Sequence, residues 1–162
     1  MEMSKLSTFV VFMVLAIVHS SLAYNSPDEI VEAHNSARAQ VGVPLPSLTW
    51  NDTLATLAHD YSSIRLADCE LVHSDSPYGE NLAMGYGDFL SVDAVNLWVG
   101  EKPNYDYASN SCKHDMCAHY TAVIWNNTLQ VRCARLKCNN LDAWFVMCNY
   151  FPAGNVEGEK PY

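Results

Sequence analysis

The stretch AWFVMCNY, residues 143–150, places apolar side chains at four successive positions, Trp144, Phe145, Val146 and Met147. Neighbouring side chains of a strand point to opposite faces, so this run predicts a strand buried on both sides. A sheet covered on both faces needs a layer against each, which predicts an α-β-α sandwich. Just upstream, residues 129–137 and 120–125 are also rich in β-branched and aromatic residues and read as strands, with Asn139-Asn140 as the turn into the last run. Further back the pattern is helical. Ser26-Pro27-Asp28-Glu29 carries a capping-box start, and Ile30, Ala33, His34, Ala37 and Val41 recur at helical spacing. A second helix starts at Asn51 or Asp52 and sets Leu54, Leu57, Ala58, Tyr61 and Ile64 on one face. A third runs from Ser91 to about Glu101, burying Val95, Trp98 and Val99 before Pro103 stops it. Between them, residues 70–90 hold Pro77, Gly79, Gly85 and Gly87 and read mainly as irregular loop, and residues 104–113 as a polar loop bearing tyrosines. Helices first and an antiparallel hairpin last give the class α+β, a three-layer α-β-α sandwich with a central antiparallel sheet.

The chain has 162 residues, enough for one domain, and 49% hydrophobic against 17% charged residues, the balance of a chain with a buried core. Its formal net charge of −9 excludes nucleic acid as a partner and leaves no polybasic patch for an anionic membrane surface. Residues 1–5 carry one Lys, residues 6–18 are almost wholly apolar, and Ser20-Ser21-Leu22-Ala23 are small residues. This reads as a secretory signal peptide over residues 1–23, cleaved after Ala23. The apolar run falls short of the roughly 20 residues of a bilayer span, and no other stretch approaches it, so no transmembrane segment is expected. One domain over residues 24–151 and a tail over residues 152–162, lying on the surface, complete the organisation.

Six cysteines at 69, 112, 117, 133, 138 and 148 in a secreted chain predict three disulfides, and spacing alone leaves all 15 pairings open. A zinc site using Cys112, His114 and Cys117 is the competing reading. Sequons at Asn51 and Asn126 are glycosylation candidates.

Four ionisable residues stand in surroundings otherwise poor in charge: His73, Glu80, Glu101 and His119. If they converge, two imidazoles facing two carboxylates could ligate a divalent cation or exchange protons; the alternative is a hydrogen-bonded cluster in which each Glu orients a His. HExxH, GxSxG and a Walker lysine are all missing, and Ser74 and Ser76 read as turn residues. His34, on the apolar side of the first helix, reads as a satisfied core histidine. Trp98, Tyr105, Tyr107 and Tyr120 either line a groove for a flat apolar ligand or divide between core and exposed loop.

The strings HNSAR (residues 34–38), GENL (79–82), HYTAVIW (119–125) and CNYFPAGN (148–155), in this order and with the six cysteines, resemble the signature motifs of the CAP superfamily. That superfamily contains cysteine-rich secretory, antigen-five and plant pathogenesis-related-one proteins, and the plant branch fits best. The resemblance implies an α-β-α sandwich with disulfides Cys69–Cys138, Cys112–Cys117 and Cys133–Cys148. It also implies a central cleft holding His73, Glu80, Glu101 and His119. Some relatives bind zinc or another divalent cation there, and no cofactor is required by the family as a whole. It further implies a monomeric, non-enzymatic protein secreted to the apoplast that restrains fungi and oomycetes by binding sterols or other membrane lipids, with the loop around Tyr105 and Tyr107 in contact. The alternatives it leaves are a metal-dependent hydrolase using the His/Glu cleft, and a precursor releasing residues 152–162 as a defence-signalling peptide. The sequence departs from the family pattern at Ala118, Ala122, Val131-Arg132 and Val156, at the sequon of Asn126, and in the acidic Glu157 and Glu159; the tetrad is intact.

Overall fold

In the computed structural model, residues 25–162 are described, without the side chains of residues 54–58; the segment read from the sequence as a signal peptide, residues 1–23, lies outside the described residues. Helix α1 (Pro27–Ala39) begins with the reciprocal cap that the sequence encodes: Ser26 Oγ accepts from the Glu29 amide at 3.2 Å and the Ser26 amide donates to Glu29 Oε2 at 2.7 Å. After it come β1 (Thr49–Trp50), α2 (Thr53–Arg65), β2 (Gly79–Tyr86) and α3 (Ser91–Val99). A short 3-10 turn (Lys102–Asn104) leads into a two-strand ribbon, β3 (Tyr105–Asp106) and β4 (Ser111–Cys112). Helix α4 (Ala118–Val123) and the long strands β5 (Gln130–Lys137) and β6 (Ala143–Phe151) complete the chain.

The four-stranded sheet runs β1-β5-β6-β2, antiparallel except for the parallel β1–β5 pair. Strand β6 lies inside it, and its alternation divides the core in two. Val146, Cys148 and Tyr150 pack with Ile30, Ala37, Val95, Trp98, Tyr120 and Val123 under α1, α3 and α4. Ala143, Phe145 and Met147 pack with Leu82, Cys69 and Cys138 on the opposite face, where Tyr61 of α2 covers them. The mixed α+β sandwich of the sequence reading is therefore the observed class. Disulfides join Cys69 to Cys138, Cys112 to Cys117 and Cys133 to Cys148, and no free cysteine is left among the described residues. With every sulfur bonded to another sulfur, no thiolate is left for a zinc site at Cys112 and Cys117.

Three local expectations are corrected. Residues 79–86 are not loop but an eight-residue edge strand, paired with β6 from Gly79–Tyr150 to Tyr86–Ala143. Its glycines weaken the local strand signal, and the pairing supplies what propensity lacks. Gly85 is required there, because a Cβ would stand 2.2 Å from the Phe89 ring. Residues 120–125 are not a strand: residues 118–123 form α4, so His119 sits in a helix. Among the described side chains of α2, Ser62 is buried, while Ile64 is 70% exposed.

Helix α4 exists because distant charged groups complete both of its ends. At its start the Glu101 carboxylate accepts from the amides of His119 at 3.1 Å and Tyr120 at 3.2 Å, the role of an N-cap side chain played by a remote residue. At its end Arg38, only 1% exposed, donates from Nη1 to the carbonyls of Val123 at 3.0 Å and Trp125 at 2.8 Å. The same guanidinium donates to Pro46 O from Nε and Nη2 and to Thr128 O from Nη2. No carboxylate appears among these Arg38 contacts; carbonyl dipoles hold the charge, and burial lowers its pKa to about 10.

Replacing Arg38 by Ala strips a charged donor from four carbonyls and is expected to lower unfolding free energy by about 3 kcal/mol or more in urea titration. Arg38→Lys keeps the charge but not the planar fork, so an intermediate loss is expected. A loss below about 1 kcal/mol for Arg38→Ala would show that α4 is held by other means.

Candidate functional site

The four candidate residues form two pairs. In the first, His73 Nδ1 donates to Glu80 Oε1 at 2.7 Å, and the same carboxylate accepts from the Ser74 amide at 3.1 Å and from Ser74 Oγ at 2.5 Å. In the second, His119 Nδ1 donates to Glu101 Oε1 at 2.6 Å, while Glu101 Oε2 carries the two α4 amides. The pairs differ in setting. His73 is 62% exposed on its connecting segment beside a buried Glu80 at the start of β2, whereas His119 and Glu101 are both largely enclosed. The His119 ring stacks on the buried Trp98 indole, centroids 6.2 Å apart and 26° between planes.

Asn81 reaches from the strand that carries Glu80 to the backbone of His119 in the second pair. It follows Glu80 in β2, and its Nδ2 donates to His119 O at 3.0 Å and to the Tyr150 hydroxyl at 3.2 Å. The Tyr150 hydroxyl in turn meets His34 Nε2 at 3.1 Å, and His34 Nδ1 meets Ile30 O at 2.8 Å. A neutral His34 with the proton on Nδ1 satisfies both contacts, Nδ1 donating to the carbonyl and Nε2 accepting from Tyr150. Burial is the chief reason its pKa falls to about 4, with the nearby Arg38 charge acting in the same direction against the Ile30 hydrogen bond. Burial likewise pushes the Tyr150 phenol upward, against the Asn81 hydrogen bond and the Arg38 charge. His34 is thus a satisfied core residue.

The donor set decides what a cation could use. Both glutamates are engaged by imidazole and by amide or hydroxyl donors, so they act as the outer partners that fix each ring with Nδ1 protonated and Nε2 as the acceptor. The two Nε2 atoms are the ligand atoms this arrangement offers. Among the described residues, the one group of three potential ligands within 4.8 Å of one another is His34, Cys133 and Cys148. There the sulfurs are joined in a disulfide and His34 already has both nitrogens engaged, so that group does not suit a metal.

The aromatic candidates divide. Trp98 and Tyr120 are buried, and burial raises the Tyr120 phenol to about 12. Tyr105 is half-buried and Tyr107 is 41% exposed. Their rings form a ladder from the core outward: Tyr120 to Tyr105 at 6.3 Å, Tyr105 to Tyr107 at 6.4 Å, and Tyr107 to Tyr162 at 4.8 Å, the last pair nearly parallel at 16°. The Tyr107 hydroxyl also donates to Tyr162 O, and Lys160 Nζ lies 4.3 Å over the Tyr107 ring. The tail is tied down along its length. Thr128 Oγ1 donates to Pro152 O at 2.9 Å, Asn155 bridges Thr121 Oγ1 and Ala118 O, and the Asn126 amide donates to Pro161 O at 2.7 Å. Gly154 packs so closely on Trp125 that a Cβ would stand 2.6 Å from its ring. Of the sequon residues, Asn126 is exposed, while Asn51 Nδ2 donates to Gln130 Oε1 at 2.6 Å. Arg38, Asn81 and Asn149 were not singled out in the sequence; each lies inside a motif that carried the resemblance, the one signal that pointed to them.

Between pH 6.5 and about 4 the unfolded chain binds a proton at His34 that the folded chain refuses. Stability should be full above that window and fall as pH drops through it, by about 3 kcal/mol from this residue. Urea midpoints of wild type and His34→Gln at pH 7 and pH 4.5 check this: the variant should lose much less on acidification, and equal losses would contradict it.

The model of the cysteine-rich secretory protein family, CAP, matches residues 31–150. The chain is 51% identical to pathogenesis-related leaf protein 4 of Solanum lycopersicum over 93% of its own length and 92% of that protein. It is 50% identical to pathogenesis-related protein 1A of Nicotiana tabacum over 96% and 91%. Among solved structures it resembles venom allergen-like protein 4 of Schistosoma mansoni, at TM-score 0.67 and 25% identity over 84% of this chain and 92% of that one. It shares its fold with NaASP2, crystallised with Zn2+, at TM-score 0.68 and 22% identity over 84% of each. A sandwich built on these motifs, with relatives at half identity along nearly its whole length, places the chain in the CAP family, among the plant pathogenesis-related-one proteins.

Proposed function

We propose that this chain is a secreted, extracellular defence protein that restrains fungi and oomycetes by binding sterols, without catalysing a reaction. The tyrosine ladder supports this reading most directly. Its outer step is a flat slot over Tyr107 in which the chain's own Tyr162 ring now lies, nearly parallel. A fused-ring lipid can take the place of that ring, with Tyr105 and the buried Tyr120 and Trp98 as the rigid support below. Apolar burial at roughly 25 cal/mol per Å² is the driving term. Three disulfides fit an oxidising compartment, and no helix among the described residues is long and apolar enough to cross a membrane.

The cleft supports binding better than catalysis. Ser74 Oγ donates to Glu80 and makes no contact with an imidazole in which it could act as a nucleophile. Zinc or another divalent cation would be held by Nε2 of His73 and His119, with Glu80 and Glu101 orienting the rings, and would supply a polarised water. Sterol capture does not use it. The tail belongs to the same proposal: release of residues 152–162 as a signalling peptide would also remove the cover from Tyr107.

Titration of the purified protein with labelled ergosterol or cholesterol tests the reading. Saturable binding is expected, weakened at least tenfold in Tyr105→Ala/Tyr107→Ala and kept or tightened in Tyr162→Ala. Absence of saturable binding, or a double variant equal to wild type, rejects it.

A further inference from the structure

On the face of the sheet opposite the tyrosine ladder, a cavity of about 420 Å³ opens between α2 and β6. Its floor contains Asn149, 1% exposed, whose Nδ2 and Oδ1 both have no hydrogen-bond partner among the described residues. Ser76 Oγ, also lining the cavity, is buried and unpartnered as well. Leaving an amide and a hydroxyl unpaired inside a protein costs on the order of 1–3 kcal/mol each, so such groups call for a partner that the described residues do not supply. Strand alternation puts Asn149 on the face of Met147, and Ser62 of α2 meets Met147 Sδ at 3.7 Å, so the amide lies on the side of the sheet that α2 covers. The walls are apolar: Tyr61, Pro77, Met147 and Ile64, the residue that helical spacing assigned to the core and that the fold leaves exposed.

We propose that this cavity is a second ligand site and that it takes a neutral, hydroxyl-headed amphiphile. The head group follows from the amide. A hydroxyl both accepts from Nδ2 and donates to Oδ1, whereas a carboxylate can only accept and an ammonium can only donate, each leaving one buried atom unpaired. Asp60 and Asp75 at the cavity disfavour an anionic head further. The apolar walls take the hydrocarbon body, and the volume lies in the range of about 300–1,000 Å³ usual for small-molecule sites. Ser74 joins the site to the cleft, since it lines the cavity and donates to Glu80. This site is independent of the tyrosine ladder.

Calorimetric titration of the whole protein with 1-decanol, decanoate and decylammonium at pH 7 tests it. Decanol is expected to bind at least tenfold tighter than either charged analogue. Asn149→Leu should weaken decanol at least tenfold while keeping or raising the urea midpoint, because it removes an unpaired polar group at similar volume. Ile64→Glu, at an exposed position, should weaken decanol without a loss of stability. The Tyr105→Ala/Tyr107→Ala variant should bind decanol as wild type does, even if it or the wild type fails to bind sterol. The proposal is overturned if decanol does not bind, if decanoate binds as well as decanol, or if Asn149→Leu binds as wild type does. It is also overturned if the tyrosine variant alone abolishes binding, which would assign the ligand to the ladder. A more stable Asn149→Leu with no ligand effect would show that the amide holds ordered water only.

Discussion

A six-residue helix held by two remote charges is the constraint on which the rest of this molecule turns. Isolated, a helix of that length does not persist in water, because nucleation costs more than one turn of hydrogen bonds returns. Here Glu101 brings negative charge to its amino end and Arg38 positive charge to its carboxyl end, each compensating the helix dipole where it is strongest. The same two contacts fix everything that α4 carries. His119 is turned toward Glu101 and onto Trp98, Tyr120 is sent into the core beside Tyr105, and Ala118 and Thr121 are presented to Asn155 of the tail. Cleft, ladder and tail anchorage thus share one foundation.

That sharing changes how the His/Glu set should be understood. Glu101 is a helix cap and a ring-orienting group at once, and Glu80 plays the equivalent double part for Ser74 and His73. Carboxylates so fully hydrogen-bonded are poor candidates for proton abstraction or for direct cation ligation, and good ones for holding an imidazole in one tautomer. The Asn81–Tyr150–His34 chain then carries the cleft back to α1 through neutral groups. A buried network of this kind is rigid when every member is paired, and Asn81 is paired to both sides. Asn149 breaks the pattern on the other face of the same strand, which is why it draws attention to the cavity beside it.

The layered class was legible because β6 is apolar at consecutive positions, a pattern only a strand between two layers satisfies. The first helix was legible to the residue at its start, since Ser26, Pro27 and Glu29 encode the cap locally. Failure came where stability is supplied from far away. Residues 118–123 have β-branched and aromatic character, and nothing within them announces that a carboxylate from residue 101 and a guanidinium from residue 38 complete their ends. Residues 79–86 hide a strand behind glycines that the eight-residue pairing with β6 overrides. Ile64 obeyed helical spacing yet is exposed at the mouth of the cavity, while Ser62 is buried against Met147. For the candidate residues, sequence identified which ionisable groups stand in apolar surroundings, but not that they would form two separate His/Glu pairs. The missing information is the third dimension of hydrogen bonding, which no spacing rule contains.

The tail shows the same logic in reverse, since it has no periodicity and is nonetheless well tied. Its bonds fall into two groups. Those of Pro152 and Asn155 to Thr128, Thr121 and Ala118 lie close to the end of β6, while those of Glu159, Pro161 and Tyr162 hold the last few residues over Asn110, Asn126 and Tyr107. The first group does not depend on the second. Lifting Tyr162 from Tyr107 therefore sacrifices one ring contact, one hydrogen bond and the packing of Tyr162 against the edge of the core, and leaves the upstream anchors in place. Detaching the whole segment also gives up the buried Pro161 and the close packing of Gly154 on Trp125. Because the anchors keep the displaced ring nearby, a ligand of the proposed slot would have to compete with it at a high effective concentration, and an intact chain would bind such a ligand more weakly than its bare ladder. Displacement of Tyr162 alone is thus the lower-cost step and loss of the whole tail the higher-cost one, an order imposed by where the anchors sit.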